Sequence, residues 1–245
     1  MNHKNSNWPL VYARIAGVLY LFNILAGIFG EIVVRNRLIV TGDPTATAHN
    51  ITASNFLFRS GIAGDPLMHV SDVPMILIFY VLLKPVSKDL SLLAALFNLV
   101  QTSVLVANKL TLVAVMVFLG STQYLKAFDP AQLQALASVC VTLHEYGFAI
   151  GLVFFGFTCL VTGYLMFKSG YFPRILGVLQ FIAGLCYLAN SFALIFSPAL
   201  QAKMIPGVLL GAFVGELLTC LWLIVMGLNL SKWNQRVSTE RHNST

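Results

Sequence analysis

Charged residues are scarce in this chain. Lys, Arg, Asp and Glu together make up 10% of its 245 residues, whereas hydrophobic residues make up 58%. A soluble domain carries about a quarter charged residues, so this composition excludes an ordinary soluble protein and indicates a lipid-embedded one. The net charge is +6, but the basic residues stand singly at the ends of apolar segments. That pattern belongs to membrane proteins, and it argues against a nucleic-acid partner.

Cysteine motifs and nucleotide- or hydrolase-type motifs are also missing. The four cysteines, at positions 140, 159, 186 and 220, lie far apart and are interpreted as buried small hydrophobic residues. The sequence has no GxxxxGK, GxGxxG, GxSxG or HExxH motif. The first apolar run lacks a strongly basic leader and a cleavage site, so it is predicted to be a retained helix.

Six apolar segments are long enough to cross a bilayer, which takes about 20 residues. They cover residues 10–32, 62–84, 90–118, 146–167, 175–196 and 207–229. Between them, Asp43-Pro44 and Asp129-Pro130 are typical helix starts and predict two amphipathic helices on the outer face. The fold prediction is therefore an all-α polytopic membrane helix bundle. Residues 1–231 form its single domain, and residues 232–245 form a polar cytoplasmic tail that we expect to be disordered.

Lys and Arg placement predicts the orientation. With the N-terminus inside, nine basic residues fall in the inner segments and five in the outer segments. This bias favours cytoplasmic termini. The inner residues are Lys4, Arg14, Lys84, Lys88, Lys168, Arg174, Lys232, Arg236 and Arg241, and the outer ones are Arg35, Arg37, Arg59, Lys126 and Lys203.

Ionisable residues inside the spans predict a polar pocket in the outer half of the membrane. Asp65, His69 and Asp72 have the i, i+4, i+7 spacing of one helix face. Asp72 and Glu216 lie too deep for their short side chains to reach water, so each needs a proton, a partner, a metal or a water cavity. The predicted ligand-binding residues are Asp72, Glu216, Asp65, His144, Arg59, Glu145 and Tyr146.

Several neighbouring residues have simpler interpretations. Lys109 is expected to extend its ammonium group to the interface, and Glu31 with Arg35 is expected to form a local ion pair. Asn23, Asn98, Gln101 and Asn108 are expected to link helices by hydrogen bonds. Pro66 and Pro74 leave two alternatives open for span two: a broken helix whose freed carbonyls serve as ligands, or an ordinary kink.

Several runs resemble one family. They are ARIAGVLYL, FRSGIAGD, AFDPAQLQALA, HEYGFAIGLVFFG, FKSGYFPRILGVL and FVGELLTCLWLIV. Together they resemble the bacterial multi-pass membrane family catalogued as a domain of unknown function, DUF4386, from about Ala13 to Gly227. The resemblance implies a multi-helix fold in the bacterial inner membrane and carries over no catalytic residue. Asp65, His144 and Glu216 lie inside these runs, and His69 lies outside them.

Three functions stay open. The first is binding or transport of a cation, a proton or a small amphiphile, for which six spans would favour a homo-oligomer. The second is a metal-dependent membrane hydrolase in which His69, His144 and Asp72 hold an ion such as zinc. The third is a non-catalytic accessory protein whose polar groups only join helices.

Overall fold

The structure, a computed structural model, describes residues 7–243, without the side chains of residues 206 and 241–243. The described chain has no strand. Its α-helices are α1 (Trp8–Ile28), α2 (Asn36–Leu38), α3 (Pro44–Ala53), α4 (Asn55–Leu83), α5 (Lys88–Phe118), α6 (Pro130–Ser169), α7 (Arg174–Phe196), α8 (Pro198–Val225) and α9 (Leu230–Asn243). A π-helical segment, Phe29–Arg35, joins α1 to α2, and a 3₁₀ helix covers Gln123–Ala127. The all-α prediction is confirmed.

Six of these segments are long and apolar enough to span a bilayer: Trp8–Leu38, Asn55–Leu83, Lys88–Phe118, Pro130–Ser169, Arg174–Phe196 and Gly207–Val225. Their outer surface carries large hydrophobic side chains, such as Val18 (58% exposed), Leu110 (69%) and Val225 (65%). Such a surface is stable against lipid and costly against water. The prediction of a multi-pass membrane bundle is confirmed.

The spanning helices form a closed ring. Each packs against the next one along the chain, and α8 packs back against α1. We call the end of the ring where α1 begins the proximal end; the helix ends there are Trp8, Leu83, Lys88, Ser169, Arg174 and Val225. The opposite, distal end holds Asn55, Phe118, Pro130 and Phe196. Side chains facing the centre of this ring are shielded from lipid.

Glycines bring α6 and α7 into backbone contact. A Cβ added to Gly163 would lie 2.7 Å from the Gly177 oxygen, and one added to Gly177 would lie 2.6 Å from the Gly163 oxygen. Small residues allow this close approach of helices in membranes. On α8, a Cβ added to Gly215 would lie 2.8 Å from the Leu179 oxygen, whereas one added to Gly207 would have no neighbour within 4 Å among the described residues.

Two Asp-Pro starts build the distal surface. Asp43 caps α3 by accepting a hydrogen bond from the Ala46 N–H (2.9 Å), and Asp129 forms a capping box with Gln132 at the start of α6. Thr45 then joins the two helices through Gln134 at 3.0 Å. The second predicted surface helix is continuous with span four, since α6 runs unbroken for 40 residues. At about 1.5 Å per residue, that length exceeds the roughly 30 Å hydrocarbon thickness.

The helix α4 is continuous through Pro66 and Pro74. Of the two alternatives left open by the sequence, the unwound span is therefore not observed. Neighbouring helices and local adjustments let membrane helices tolerate such prolines. The continuity keeps Asp65, His69 and Asp72 on one buried face of α4.

The expected disorder of the tail is wrong for residues 232–243, which belong to α9. Trp233 is 6% exposed, packs its ring against Trp8 at a centroid distance of 5.1 Å and donates to the Leu82 oxygen at 3.4 Å. Arg236 donates to the Pro85 oxygen at 3.3 Å. One buried indole therefore fixes an otherwise polar helix to the proximal end. Residues 1–6, which include Lys4, and residues 244–245 lie outside the described part.

Candidate functional site

Four charged residues form a distal ion cluster: Glu31, Arg35, Asp65 and Lys109. Asp65 Oδ2 lies 2.9 Å from Lys109 Nζ and 3.1 Å from Arg35 Nη1, and Arg35 Nε lies 2.7 Å from Glu31 Oε2. Asp65 is 3% exposed and Lys109 5%. The cluster joins α4 and α5 to the π-helical end of α1. With two acids and two bases, its formal charges cancel.

The contacts of this cluster test two expectations from the sequence. The local ion pair between Glu31 and Arg35 is confirmed. The prediction that Lys109 reaches the interface is wrong, because a buried carboxylate offers its ammonium group a closer partner than water. Gly30 leaves room for the pairing, since a Cβ there would lie 3.0 Å from Asp65 Oδ1.

His144 binds α5 beside the distal ion cluster. Asn108 Nδ2 lies 3.1 Å from His144 Nδ1 and donates to the His144 carbonyl at 2.9 Å, and Thr111 Oγ1 lies 3.3 Å from the same ring nitrogen. A Cβ on Gly147 would lie 2.1 Å from Asn108 Oδ1, so the glycine is what lets the amide approach. His144 is thus part of a helix-joining network.

The central pair, His69 and Asp72, lies deeper in the bundle on α4. His69 Nδ1 is 3.0 Å from Asp72 Oδ2. Asn23 of α1 donates to Asp72 Oδ1 at 2.5 Å, and Thr102 of α5 donates to Oδ2 at 3.4 Å. His69 is 2% exposed, and its Nε2 is buried without a hydrogen-bond partner among the described residues. Buried polar atoms are nearly always paired, so an orphan ring nitrogen needs an explanation.

Glu216 lies apart from the central pair, on α8. It is 9% exposed, and its carboxyl group interacts with the Tyr20 and Tyr187 hydroxyls. Within residues 7–243, its Oε1 is buried without a hydrogen-bond partner. No cation lies in an ion pair with it among the described residues. Glu216 is therefore a buried acid in a neutral hydroxyl environment.

The helix α1 lies between the two buried acids. Asn23 binds Asp72, and Tyr20, one turn earlier, interacts with Glu216. Within the described chain no hydrogen bond or ion pair joins Asp72 to Glu216 directly. The sequence predicted both acids as ligand-binding residues of one polar pocket. In the structure the residues between them are Tyr20 and Asn23, which have the 3-residue spacing of one helix face. That spacing was the available signal for their role.

The remaining predicted ligand-binding residues stay outside these clusters. Arg59 is exposed and donates to Asn55 Oδ1 on its own helix at 2.6 Å. Glu145 is exposed, and Tyr146 is half-buried. Neither of the latter two makes a side-chain hydrogen bond within the part of the chain that the structure describes.

The residues proposed for a metal do not form one group. His69 pairs with Asp72, whereas His144 pairs with Asn108 and Thr111. Over residues 7–243, no group of three or more His, Cys, Asp or Glu side chains is placed to hold a metal ion. The arrangement of the two histidines therefore gives the hydrolase hypothesis no support.

A cavity lies in the proximal half of the ring, between α1, α4, α5, α6 and α7. Its polar lining includes Tyr20, Asn98 and Gln180, together with Ser91, Thr158 and Thr162. None of the distal ion cluster and neither member of the central pair lines it. The sequence predicted a pocket in the opposite half of the membrane, because the ionisable residues lie there. The polar residues that line this cavity are neutral and gave no comparable signal.

Comparison with known proteins supports the resemblance found in the sequence. A family model described as "Domain of unknown function (DUF4386)" matches residues 15–227. An "Uncharacterized protein" from Archaeoglobus fulgidus is 30% identical over 171 residues, which cover 70% of this chain and 86% of the relative. No solved structure matches the chain. Since the relative is archaeal, the similarity extends beyond the bacteria expected from the sequence.

Proposed function

The chain belongs to the DUF4386 family, and from this premise we propose that it is a membrane protein that binds and exchanges a proton or a small cation inside its helix ring. The observation that carries the proposal is the central pair. His69 and Asp72 are 3.0 Å apart, both are buried, and one ring nitrogen of His69 has no partner.

The charge of the central pair is the first step of the argument. An ionised Asp72 beside a neutral His69 leaves one uncompensated negative charge, since Asn23 and Thr102 are neutral donors. Asp72 stands 11 residues from the end of α4 at Leu83, roughly 16 Å at 1.5 Å per residue, close to the bilayer centre. A charge at that depth is costly unless a proton or cation neutralises it. A bound proton on His69 or a cation beside Asp72 restores neutrality.

The distal ion cluster differs from the central pair because its charges are balanced. Its acids, Glu31 and Asp65, are matched by Arg35 and Lys109 within salt-bridge distance. It needs no further ion. A structural role in joining three helices accounts for all of its contacts, so the exchangeable charge is assigned to the central pair.

Glu216 is the second exchangeable site of the proposal. Its buried carboxyl group has tyrosine neighbours and one unpartnered oxygen. Because α1 contributes both Asn23 and Tyr20, the two acids contact the same turn of that helix. The proposal assigns an exchangeable proton to each of them.

We place the chain in the cell inner (plasma) membrane, with the proximal end facing the cytoplasm. Lys84, Lys88, Lys168 and Arg174 lie at that end, in agreement with the positive-inside rule. Lys4 and the Arg241 side chain, which were counted with this end, lie outside the described part.

The proposal can be tested with purified protein in liposomes that enclose a pH-sensitive dye. After an imposed pH step and a potassium diffusion potential, the parent protein should raise the rate of internal pH change. Asp72→Asn and Glu216→Gln should lower that rate toward the protein-free value. Glu31→Gln, a matched acid-to-amide change at an exposed position, should behave as the parent does.

Infrared spectra over a pH series provide a readout that needs no flux. The parent should show a protonated-carboxyl band that responds to pH, and Asp72→Asn or Glu216→Gln should remove part of it. If both variants match the parent in the infrared and flux measurements, the exchange proposal fails. The accessory function would then account for the polar groups.

A further inference from the structure

The proximal cavity carries polar atoms that the rest of the protein leaves unused. Gln180 is 5% exposed and lines the cavity. Its Nε2 donates to Cys159 Sγ at 3.5 Å, whereas its Oε1 is buried and has no partner in the part of the chain that the structure describes. A buried carbonyl oxygen without a donor is destabilising. A ligand with an N–H or O–H group would remove that cost.

Asn98 offers a second unused amide from another helix of the cavity wall. It is 8% exposed and lines the same cavity from α5. Its side chain makes no hydrogen bond with the described residues. Thr158, in contrast, already donates to the Phe154 carbonyl of its own helix at 3.1 Å. The free hydrogen-bonding capacity of the cavity therefore includes amides on both α5 and α7.

Aromatic rings form much of the remaining wall. Tyr20, Phe79, Tyr80 and Phe155 all line the cavity. No Lys, Arg or His is present among its lining residues within the described chain. The hydroxyl of Tyr20 also interacts with the Glu216 carboxyl group, so an ionisable group next to the cavity wall is an acid. Aromatic faces attract cations, most strongly where water is excluded.

From these features we propose that the cavity is a binding site for a small hydrophobic amine in its protonated form. The ammonium group would donate to Gln180 Oε1 and Asn98 and lie against the aromatic rings. The alkyl part would fill the apolar remainder of the cavity. This site uses none of the central-pair residues, so the proposal does not depend on proton exchange there.

The size of the cavity restricts the ligand. The space open to the centres of water molecules is about 40 Å³. One water needs at least about 10–15 Å³ by this measure. A ligand of a few non-hydrogen atoms fits, and a whole phospholipid does not. Butylammonium, butanol and butyrate are suitable probes because each has a four-carbon chain and they differ in charge.

The test is a titration of the full chain in nanodiscs, followed by saturation-transfer NMR with protein-free nanodiscs as the baseline. Butylammonium should bind more tightly than butanol, and butyrate should bind most weakly. Gln180→Leu should weaken butylammonium binding about tenfold or more, the loss expected for one hydrogen bond to a charged donor. Gln180→Glu should strengthen it, an effect that a merely structural glutamine would not produce.

Two further variants keep the test decisive. Gln101→Leu removes a buried amide from α5 outside the cavity lining and should leave butylammonium binding unchanged. If Gln180→Leu fails to fold, Asn98→Leu replaces it in the test. The Asn98→Leu variant should also weaken butylammonium binding. Equal binding of the three probes, or unchanged butylammonium affinity in folded Gln180→Leu or Asn98→Leu, overturns the proposal.

Discussion

Lys109 Nζ lies 2.9 Å from Asp65 Oδ2, and the same oxygen is 3.1 Å from Arg35 Nη1. One carboxylate oxygen on α4 therefore forms salt bridges with a cation on α5 and with another in the π-helical segment that follows α1. Glu31 balances the second cation at 2.7 Å from Arg35 Nε. The arrangement closes the distal end of three neighbouring helices with no net charge.

Replacing Asp65 should lower the free energy of unfolding more than replacing Lys109. In Asp65→Asn, Lys109 and Arg35 both lose their buried anion, whereas in Lys109→Met the carboxylate keeps Arg35. Breaking a buried pair by removing one partner costs about 3–5 kcal/mol. We expect Asp65→Asn to approach this loss and Lys109→Met to fall below it, as measured by denaturant unfolding in detergent.

The double variant Asp65→Asn with Lys109→Met provides the control. It removes the charges that depend on each other, so it should be less destabilised than the sum of the two single variants. Simple additivity would contradict the pairing. If the two single variants lose the same unfolding free energy, the pairing of Asp65 with Arg35 contributes nothing to stability.

Gly163 should not tolerate a methyl group. Its added Cβ would lie 2.7 Å from the Gly177 oxygen and from the Phe181 nitrogen, both backbone atoms that cannot move aside. Overpacking of this kind costs about 1–3 kcal/mol, so Gly163→Ala should lower the thermal unfolding midpoint. Gly64→Ala is the matched control, because that glycine is also helical and has nothing within 4 Å. A neutral Gly163→Ala would contradict the close α6–α7 contact.

The fold was predictable because its signals are local. Apolar runs locate the six spans, and the Asp-Pro pairs at Asp43 and Asp129 locate two helix starts. The tail was mispredicted because its composition is polar, while its attachment depends on one tertiary contact, Trp233 against Trp8 and Leu82. A single buried side chain leaves almost no trace in composition.

The candidate site was predictable only as a set of residues. Depth along each helix identified Asp72 and Glu216 as buried acids, and both are buried. Their partners depend on helix rotation and on which helices are neighbours, and the sequence contains neither. The sequence predicted that Asn23 links helices, but its partner Asp72 follows from the contact of α1 with α4. The role of Tyr20 follows only from the contact of α1 with α8.

Tyr171, in the loop before α7, should make stability sensitive to alkaline pH. It is 3% exposed, it donates to the Leu82 oxygen at 2.7 Å, and burial raises its pKa above the ordinary value. The folded protein thus keeps the phenol proton where the unfolded chain, with an ordinary pKa of about 10, loses it. Its contribution is complete below about pH 10 and is lost as the pH rises further.

Unfolding midpoints measured between pH 8 and pH 11 would test whether the stabilisation by Tyr171 is lost as the pH rises. Tyr171→Phe should be less stable than the parent at pH 8, by about 1 kcal/mol for one hydrogen bond, and the difference should shrink above about pH 10. A difference that stays constant or grows with pH would contradict the role of the buried hydroxyl.

The helix α9 should resist proteolysis. Trypsin sites at Lys232 and Arg236 lie in a helix fixed by the Trp233 indole, and cleavage requires local unfolding. Trp233→Ala removes a buried aromatic side chain, so cleavage at both sites should accelerate about tenfold or more. Gln235→Ala, at an exposed position of the same helix, should cleave at the parent rate. Rapid cleavage of the parent itself would show that α9 is not attached.

The proposed orientation leads to opposite labelling of the two ends. Ser121 follows α5 at the distal end, Asp89 begins α5 at the proximal end, and both are exposed. A membrane-impermeant maleimide should label Ser121→Cys in intact bacterial cells, and it should label Asp89→Cys only after the membrane is opened. The physical reason is the basic excess at the proximal end, which favours retention in the cytoplasm. The native cysteines are buried or half-buried, so the parent chain sets the background. Labelling of Asp89→Cys in intact cells, with Ser121→Cys protected, would reverse the orientation.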